Sequence, residues 1–440
     1  MVQDVPRGKA SLEFEIVRLA GQRCLSEVDR RAMARLLRSP ALDWDGLYAT
    51  AHRHGIHQLL SWHLQSRGLR EFVPAGALAS FHGEFVRRAG RMLAATGQLF
   101  QVLDALAHAG VPVLPYKGPA LAERLYGTLA LRECYDLDLL VLSHHVGVAE
   151  RVLRDLGYRP DSSLERCEPR RLRRARCSQG FRRESSLPVE LHWRFTNADV
   201  GFPLDLSALR DRLEPGELAG KPILRLSNSD LLPILCVHGA KHRWARLEWL
   251  SSLAQLSRDM TGDEWSPVVD LARRTRSERT LLLGLLLGSR YAGARVPGDL
   301  LERATSHRAV RELAGMAGDL LQDARYIAES AEPSGSLRHD LFHYRLQETA
   351  RGRARFVLHR TTTPSRPREW RAVTVGGYSL PVHAVVRPFR ILGKLATAVL
   401  WEIRTAARAR LGAVRRPIRG GRLVADRRDA SGEALRGKGI

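Results

Sequence analysis

Apolar residues recur at helical spacing along the first hundred residues of the chain. Between residues 11 and 106 they fall three or four positions apart, as in Met33, Leu36 and Leu37. This spacing places apolar side chains on one face of a helix. The pattern therefore predicts a helical N-terminal region over residues 1–106.

Near Val111 the helical spacing gives way to short runs with the alternation typical of strands. Pro119 is well placed for the first turn of a helix that begins just after Lys117 and Gly118. The predicted order is strand, turn, helix, strand, helix, strand, over 111–115, 117–118, 119–126, 136–142, 146–156 and 189–195. We therefore predict a small mixed-sheet core over residues 107–226, flanked by helical regions, and an α+β fold class.

Helical spacing returns after about residue 229 and predicts a helical domain over residues 227–333. The most apolar run of the chain, 281–288, lies in this region between Arg279 and Arg290. It is much shorter than the roughly 20 residues that cross a bilayer. We therefore predict that this run forms a buried helix.

The last hundred residues differ in composition from the rest of the chain. Residues 334–440 are predicted to form a basic C-terminal extension, in which 385–414 has the pattern of a basic amphipathic helix. Such a helix favours peripheral contact with an anionic membrane surface. Segment 415–440 is rich in Arg, Gly and Asp and lacks any period, so we expect it to be disordered.

The formal net charge of +23 favours polyanionic partners such as nucleotides, nucleic acid or anionic lipid headgroups. The arginine-rich segment 166–176 has no interleaved aromatic residues on which bases stack, so nucleic acid is the less favoured partner. The 5 cysteines are scattered and form no Cys-x-x-Cys pair. This argues against disulfides and structural zinc, and it favours a cytoplasmic location.

Acidic residues on two predicted strands form the candidate catalytic and metal-binding site. Asp136 and Asp138 lie two positions apart, so both carboxylates project from the same face of their strand. Two like charges on one face repel each other unless a cation lies between them, and hard oxygen ligands suit Mg²⁺. Glu190 on the later strand is the expected third ligand, with Glu184 as a nearby alternative.

A phosphate-binding site is predicted directly upstream of the acidic pair. Lys117 and Gly118 end one strand and open a helix, so backbone N–H groups and the positive end of the helix dipole face the same point. Arg132 lies shortly before Asp136 and is placed to pair with a phosphate. These positions favour binding of the triphosphate of an NTP.

The chain resembles the bacterial uncharacterised nucleotidyltransferase family, which is part of the polymerase-β-like nucleotidyltransferase superfamily. The resemblance covers residues 30–260 and rests on a Lys-Gly turn, an arginine, two acidic strands and two helical segments. In this chain they read YKGPALA at 116–122, Arg132, DLDLLV at 136–141, ELHW at 190–193, HGAKHRW at 238–244 and a helical region at 44–62. Two positions depart from the family. Ser251 and Ser252 stand where members usually carry an aspartate, and Gly118-Pro119 replaces the Gly-Ser turn of better-known members of the superfamily.

The resemblance implies an enzyme that moves a nucleoside monophosphate from an NTP to a hydroxyl or phosphate on a small molecule, peptide or protein. It implies Mg²⁺ as cofactor and Asp136, Asp138 and Glu190 as catalytic residues. We expect Lys241 and His242 of the helical signature to bind the nucleotide, with a purely packed helix as the alternative. The acceptor and the oligomeric state stay open.

Two other functions compete with the transferase. The fold also suits a non-catalytic protein that binds nucleotides or nucleic acid through the basic extension. A membrane-surface accessory protein of a biosynthetic pathway, docked through residues 385–414, is the other alternative. Neither alternative requires turnover of an NTP.

Overall fold

The structure, a computed structural model, describes residues 10–66, 68–161, 176–197, 201–323, 337–362, 372–375 and 378–381. All of these residues belong to one compact unit, Met1–Phe389. The predicted amphipathic helix at 385–414, the disorder expected at 415–440 and most of the arginine-rich segment fall outside the described residues.

Helices form the N-terminal region, as predicted. They are α1 (Leu12–Ala20), α2 (Glu27–Leu37), α3 (Trp44–His54), α4 (His57–Leu64) and α5 (Ala75–His108). The side chains of Ser11, Ser26 and Asp43 accept hydrogen bonds from first-turn N–H groups of α1, α2 and α3. These caps satisfy backbone donors that have no partner within the helix, and they explain where the three helices begin.

A mixed sheet follows the N-terminal helices. Its elements are β1 (Val113–Pro115), α6 (Gly118–Tyr126), β2 (Leu137–Val141), α7 (Val146–Asp155), β3 (Arg159–Pro160), β4 (Ser178–Arg182) and β5 (Val189–His192). The strands lie in the order β1-β2-β5-β4-β3. The β2–β5 pair is parallel and the other pairs are antiparallel. The predicted α+β class with a small mixed sheet is confirmed.

Two strands are shorter than the sequence pattern predicts. β2 begins at Leu137 and not at residue 136, because its first partner in β5 is Val189. β5 ends at His192 and not at residue 195, because its partner strand β4 begins opposite His192, at Ser178. Asp136 therefore lies immediately before the strand and not within it.

A short hairpin, β6 (Glu214–Leu218) and β7 (Lys221–Arg225), precedes the second helical region. The sequence pattern did not predict it. Its two turn residues, Ala219 and Gly220, both adopt positive φ. Two-residue hairpins with this geometry favour Asn-Gly or Gly-Gly, so an Ala-Gly pair gives only a weak turn signal.

The second helical region is confirmed as helical. Its helices are α8 (Asn228–Lys241), α9 (Leu247–Arg258), α10 (Trp265–Arg274), α11 (Glu278–Ala292), α12 (Gly298–Ser306) and α13 (Arg308–Gln322). The predicted C-terminal extension also contains regular elements, namely α14 (Leu337–Leu346), α15 (Ala350–Thr362) and a hairpin of β8 (Ala372–Val375) and β9 (Tyr378–Pro381). The apolar run 281–288 is buried within α11, as predicted. Among the described residues, every helix is too short or too polar to span a bilayer.

Two hydrophobic cores hold these elements together. One lies among the N-terminal helices, α6 and helices α8 to α14, and the other lies between the sheet, α7 and the second half of α5. Helix α5 contributes Phe81 to the first core and Leu99 and Val102 to the second. It therefore links the helical region to the sheet. The domain boundaries at 106, 226 and 333 stay predictions.

Candidate active site

The candidate site lies on one face of the sheet, where β2 and β5 run side by side. In this parallel pair Asp138 is opposite Glu190, and Leu140 is opposite His192. Because side chains alternate faces with period two, Glu190 and His192 project from the same face. Donor atoms of Asp138, Glu190 and His192 all lie within 4.8 Å of one another. Strand register thus brings together residues that are far apart in sequence.

The site is closed at Asp138 and open at Glu190. Asp138 and His192 are 3% and 2% exposed, whereas the side chain of Glu190 is 30% exposed. Glu190 accepts a hydrogen bond of 2.6 Å from Ser178 Oγ on β4. Glu184, the alternative third carboxylate, is exposed in the turn before β5 and does not join this group.

Asp136 lies close to Asp138 but outside the group of donor atoms within 4.8 Å. Its side chain is half-buried. The negative charge of Asp138, followed by burial, raises the pKa of Asp136 to about 7. The repulsion that we expected from the spacing of the two aspartates is therefore present, and it acts mainly on Asp136.

Lys117 lies within the site because it is the N-cap residue of α6. Its Nζ donates a hydrogen bond of 2.8 Å to Asp138 Oδ1, and the whole residue is buried. Burial disfavours the ammonium charge, but Asp138, Asp136 and Glu190 outweigh burial and raise the pKa of Lys117. Gly118 follows with φ of +60°, and a Cβ there would lie 3.5 Å from the carbonyl oxygen of Asp136. The start of α6 thus packs directly over the residue that precedes β2.

His192 is a site residue to which our sequence analysis gave no role. Its Nε2 lies 2.9 Å from Asp138 Oδ1 and 3.3 Å from Glu190 Oε2. Burial disfavours a charged ring, but Glu190 and the hydrogen bond to Asp138 outweigh it and raise the pKa of His192 well above its ordinary value. The sequence indicated His192 through its position two residues after Glu190, which places both side chains on the same face of β5. We call Asp136, Asp138 and Glu190, with Lys117 and His192, the acidic cluster.

The donor set of the acidic cluster fits a divalent cation. Asp138 and Glu190 supply carboxylate oxygens, and His192 supplies a ring nitrogen once that nitrogen has lost its proton. Lys117 and His192 outweigh burial and hold the pKa of Asp138 below its ordinary value, so this carboxylate is ionised at neutral pH. Oxygen donors suit Mg²⁺, and a mixed set of oxygen and nitrogen also suits Mn²⁺ or Zn²⁺.

Arg132 lies four residues before Asp136 in the chain, directly after a 3-10 turn at Leu129–Leu131. Within the described part of the chain its buried Nε has no hydrogen-bond partner. Burial lowers the pKa of His238, and the positive charge of Arg132 contributes to the same shift. Arg132 therefore lies towards α8, and the structure does not pair it with the carboxylates.

Lys241 and His242 lie at the C-terminal end of α8. Burial raises the pKa of Glu190, but His192, with help from Lys241, outweighs burial and holds it below its ordinary range. Lys241 therefore lies close enough to act on the acidic cluster. The exposed ring of His242 lies 5.2 Å from the ring of Trp249 and 5.0 Å from that of His238, measured between centroids. These rings form an aromatic surface beside Lys241.

Part of the helical signature has a packing role. Trp244 is fully buried, and any side chain at Gly239 would overlap its ring. Arg243 and Trp244 both adopt positive φ, near 55° and 58°. This conformation is costly for residues with a Cβ. The chain therefore turns sharply after α8 so that the indole enters the core, while Lys241 and His242 stay beside the site.

A second group of buried charges holds the segment that leads into β2. Arg88 on α5 forms ion pairs with Glu84 and Glu133. Arg91 lies 3.1 Å from Glu133, and Arg87 pairs with Glu84. We call these residues the arginine cluster. Because Glu133 lies three residues before Asp136, the cluster fixes the approach to the acidic cluster, and our sequence analysis did not predict it.

A match to a protein family agrees with the resemblance seen in the sequence. Residues 40–293 match the family described as uncharacterised nucleotidyltransferase. No curated protein matches the chain. Among solved structures, the antibiotic-resistance factor ANT(2'')-Ia is similar over 49% of this chain and 99% of that chain, with 16% identity and a TM-score of 0.26. The family match covers more than half of the chain and includes every residue of the acidic cluster.

Proposed function

Because the chain belongs to the uncharacterised nucleotidyltransferase family, we propose that it uses Mg²⁺ to transfer a nucleoside monophosphate from an NTP to a hydroxyl or phosphate acceptor. One observation carries this proposal: Asp138 and Glu190 lie opposite each other on β2 and β5, and Asp138 accepts a hydrogen bond from the ammonium of Lys117. The two carboxylates, the ammonium of Lys117 and the first turn of α6 lie together here. The combination suits a complex of a divalent cation with a triphosphate.

Asp138 and Glu190 are the residues proposed to hold Mg²⁺, with Asp136 beside them. Strand pairing fixes the first two, so their carboxylates are in place before any ligand arrives. When bound, the ion stabilises negative charge on the reacting phosphoryl group and the leaving pyrophosphate. Hydrogen bonds from Ser178 to Glu190 and from Lys117 to Asp138 orient the two carboxylates.

We assign the triphosphate to the start of α6. Lys117 supplies a positive charge there, and the helix adds its N–H groups and the positive end of its dipole. Arg132, with a buried Nε that lacks a protein partner in the described chain, is proposed to contact a phosphate oxygen. Lys241 and His242, at the C-terminal end of α8, are also assigned to nucleotide binding.

Asp136 is proposed to accept the proton of the acceptor hydroxyl. A carboxylate beside the reacting groups suits the role of general base. The acceptor oxygen attacks the α-phosphorus, the bond to pyrophosphate breaks, and the hydroxyl proton moves to a carboxylate oxygen of Asp136. Its position outside the group of Asp138, Glu190 and His192 leaves that oxygen available.

The proposal is tested by incubating the protein with each labelled NTP and Mg²⁺, alone and with cell extract. We expect release of pyrophosphate and a labelled product from one preferred NTP. Asp138→Asn is expected to lower the rate on the order of 10³-fold. Asp270→Asn, an exposed aspartate on α10, is the matched control and should leave the rate unchanged.

Two outcomes contradict the proposal. Equal turnover by Asp138→Asn and the wild type shows that the acidic cluster does not catalyse the reaction. Tight binding of an NTP without pyrophosphate release, with every acceptor fraction tried, favours the non-catalytic binding protein instead.

A further inference from the structure

One oxygen of the acidic cluster already has two partners from the protein. Asp138 Oδ1 accepts a hydrogen bond from Lys117 Nζ at 2.8 Å, and His192 Nε2 lies 2.9 Å from the same oxygen. All three residues are buried. The protein therefore neutralises this carboxylate with its own groups.

This arrangement conflicts with simultaneous binding of a divalent cation. A cation on Asp138 Oδ1 lies next to the ammonium of Lys117, and two positive charges in contact inside a protein repel strongly. Movement of the ammonium to another anion relieves this repulsion. Lysine is suited to such a move because it is a point charge on a flexible four-carbon stem, whereas arginine is held by a rigid fork of donors.

We propose that Lys117 is a resident counter-ion of Asp138, and that its ammonium passes to the triphosphate when the divalent cation and NTP bind together. The inference rests on the proposed function, since the cation and the triphosphate are the ligands assigned there. The start of α6 keeps the new partner within reach, because Lys117 is its N-cap residue. The ammonium of Lys117 thus pairs with Asp138 before the ligands bind and with the triphosphate afterwards.

The exchange predicts that the cation binds weakly alone and tightly with nucleotide. Without NTP, the ammonium must leave a buried carboxylate for water, or stay and repel the cation. With NTP, it gains a new anionic partner. Binding of the cation and of the nucleotide is therefore positively coupled, and part of that coupling passes through Lys117.

The first test measures Mn²⁺ affinity without nucleotide, by electron paramagnetic resonance. We expect Lys117→Met to bind Mn²⁺ on the order of tenfold more tightly than the wild type, because it removes the repelling charge. Lys117→Arg keeps the charge and should not tighten binding. Lys221→Met, at an exposed lysine on β7, is the matched control and should bind as the wild type does. Unchanged or weaker binding by Lys117→Met overturns the proposal.

A second test uses wild-type protein and so does not depend on the folding of Lys117→Met. The sequence contains six lysines, so labelling lysine with ¹⁵N gives few ammonium signals. A buried, hydrogen-bonded ammonium exchanges slowly with water and is assigned by its loss in Lys117→Arg. We expect Mg²⁺ and a non-hydrolysable NTP together to shift this signal strongly. An unshifted signal at saturation overturns the exchange.

Variants at the carboxylates separate failure of this inference from failure of the proposed function. If Asp138→Asn and Glu190→Gln both bind Mn²⁺ as tightly as the wild type, the cation is held elsewhere and the proposed function fails. If both lose binding while Lys117→Met gains none, the site holds the cation and only the counter-ion role is wrong.

Discussion

The arginine cluster and the acidic cluster each contain buried charged side chains and lie three residues apart at Glu133 and Asp136, yet their charges are balanced in opposite ways. In the arginine cluster, two carboxylates are matched by guanidinium groups that stay charged. In the acidic cluster, three carboxylates face one ammonium and one imidazole. In the first cluster the carboxylates are fully matched by cations of the protein, whereas the second has an excess of negative charge, which suits a divalent cation.

Nearby histidines show the same contrast. Burial and the charge of Arg88 lower the pKa of His57 to about 4. In the acidic cluster, Glu190 and Asp138 overcome burial and raise the pKa of His192. One cluster therefore excludes further positive charge and the other attracts it. We infer that the first serves stability and the second serves binding.

The largest effect is expected from breaking the arginine cluster. Arg88→Met leaves Glu84 and Glu133 buried without their main partner, and should lower the free energy of unfolding by about 3–5 kcal/mol. Arg91→Met, at a side chain that is 51% exposed, is the control and should cost less than about 1 kcal/mol. Urea unfolding measures both. If Arg88→Met weakens Mn²⁺ binding to the folded protein as well, the two clusters are not independent.

Acid should destabilise the helical side of the molecule through His57. Its folded pKa of about 4 lies below the ordinary 6.5, so the unfolded chain binds a proton first as pH falls. Stability is therefore complete above about pH 6.5 and is lost towards pH 4, by roughly 2 kcal/mol at pH 5. The ring of His57 stacks on Phe81, and a phenylalanine at position 57 keeps this contact without a titrating group. His57→Phe should therefore remove this loss of stability, as measured by urea unfolding between pH 8 and pH 5. An unchanged pH slope in His57→Phe, matching that of the exposed-site control His82→Phe, contradicts the assignment.

Substitutions of Lys117 and Arg132 should affect nucleotide binding and turnover differently. Lys117→Ala is expected to weaken binding of a non-hydrolysable NTP about tenfold, because charge and helix dipole act together at the start of α6. Arg132→Ala should lower turnover more than affinity, as expected of a group that contacts the transition state. Calorimetric titration and turnover rates of both variants test this. Wild-type affinity in Lys117→Ala places the triphosphate elsewhere, with Lys241 and His242 as the next candidates.

The smallest effect is a gain in stability. Asp136→Asn removes the carboxylate that Asp138 repels most strongly, so the metal-free free energy of unfolding should rise by about 1 kcal/mol at pH 8. The sign follows from its folded pKa of about 7, which lies above the ordinary 3.8, so that wild-type stability falls as pH rises between these values. The variant should not show this fall. Lower metal-free stability in Asp136→Asn contradicts the assigned repulsion.

The local pattern of the sequence was enough to predict the mixed α+β fold and the facing carboxylates. Strand alternation placed Asp138 and Glu190 on strands, and the Lys-Gly turn placed Lys117 at a helix start, because these features depend on neighbouring residues only. The sequence did not separate Asp136 from Asp138. That difference arises because β5 begins at Val189 and so pairs β2 only from Leu137 onward.

Contacts between distant residues were beyond the sequence pattern. Arg88 and Glu133 are 45 positions apart, and His192 and Asp138 are 54 positions apart. Nothing in the local spacing of these residues indicates a pair, since arginine on a helix usually faces solvent and histidine after a strand glutamate has many roles. The charge balance of both clusters depends on tertiary packing. The distinction between a stabilising cluster and a binding cluster therefore depends on tertiary packing as well.

The parallel pairing of β2 with β5 predicts which parts of the sequence vary among relatives of this protein. Strand register fixes the distance between Asp138 and Glu190, whatever the length of the connection between them. Lengthening that connection costs little conformational entropy, whereas removing one residue from either strand turns its carboxylate to the opposite face. The fold therefore tolerates insertion or deletion of long segments between the two strands. Distant homologues should keep two short anchors, DLD and ELH, across a variable gap, and alignments that penalise gap length will overlook them.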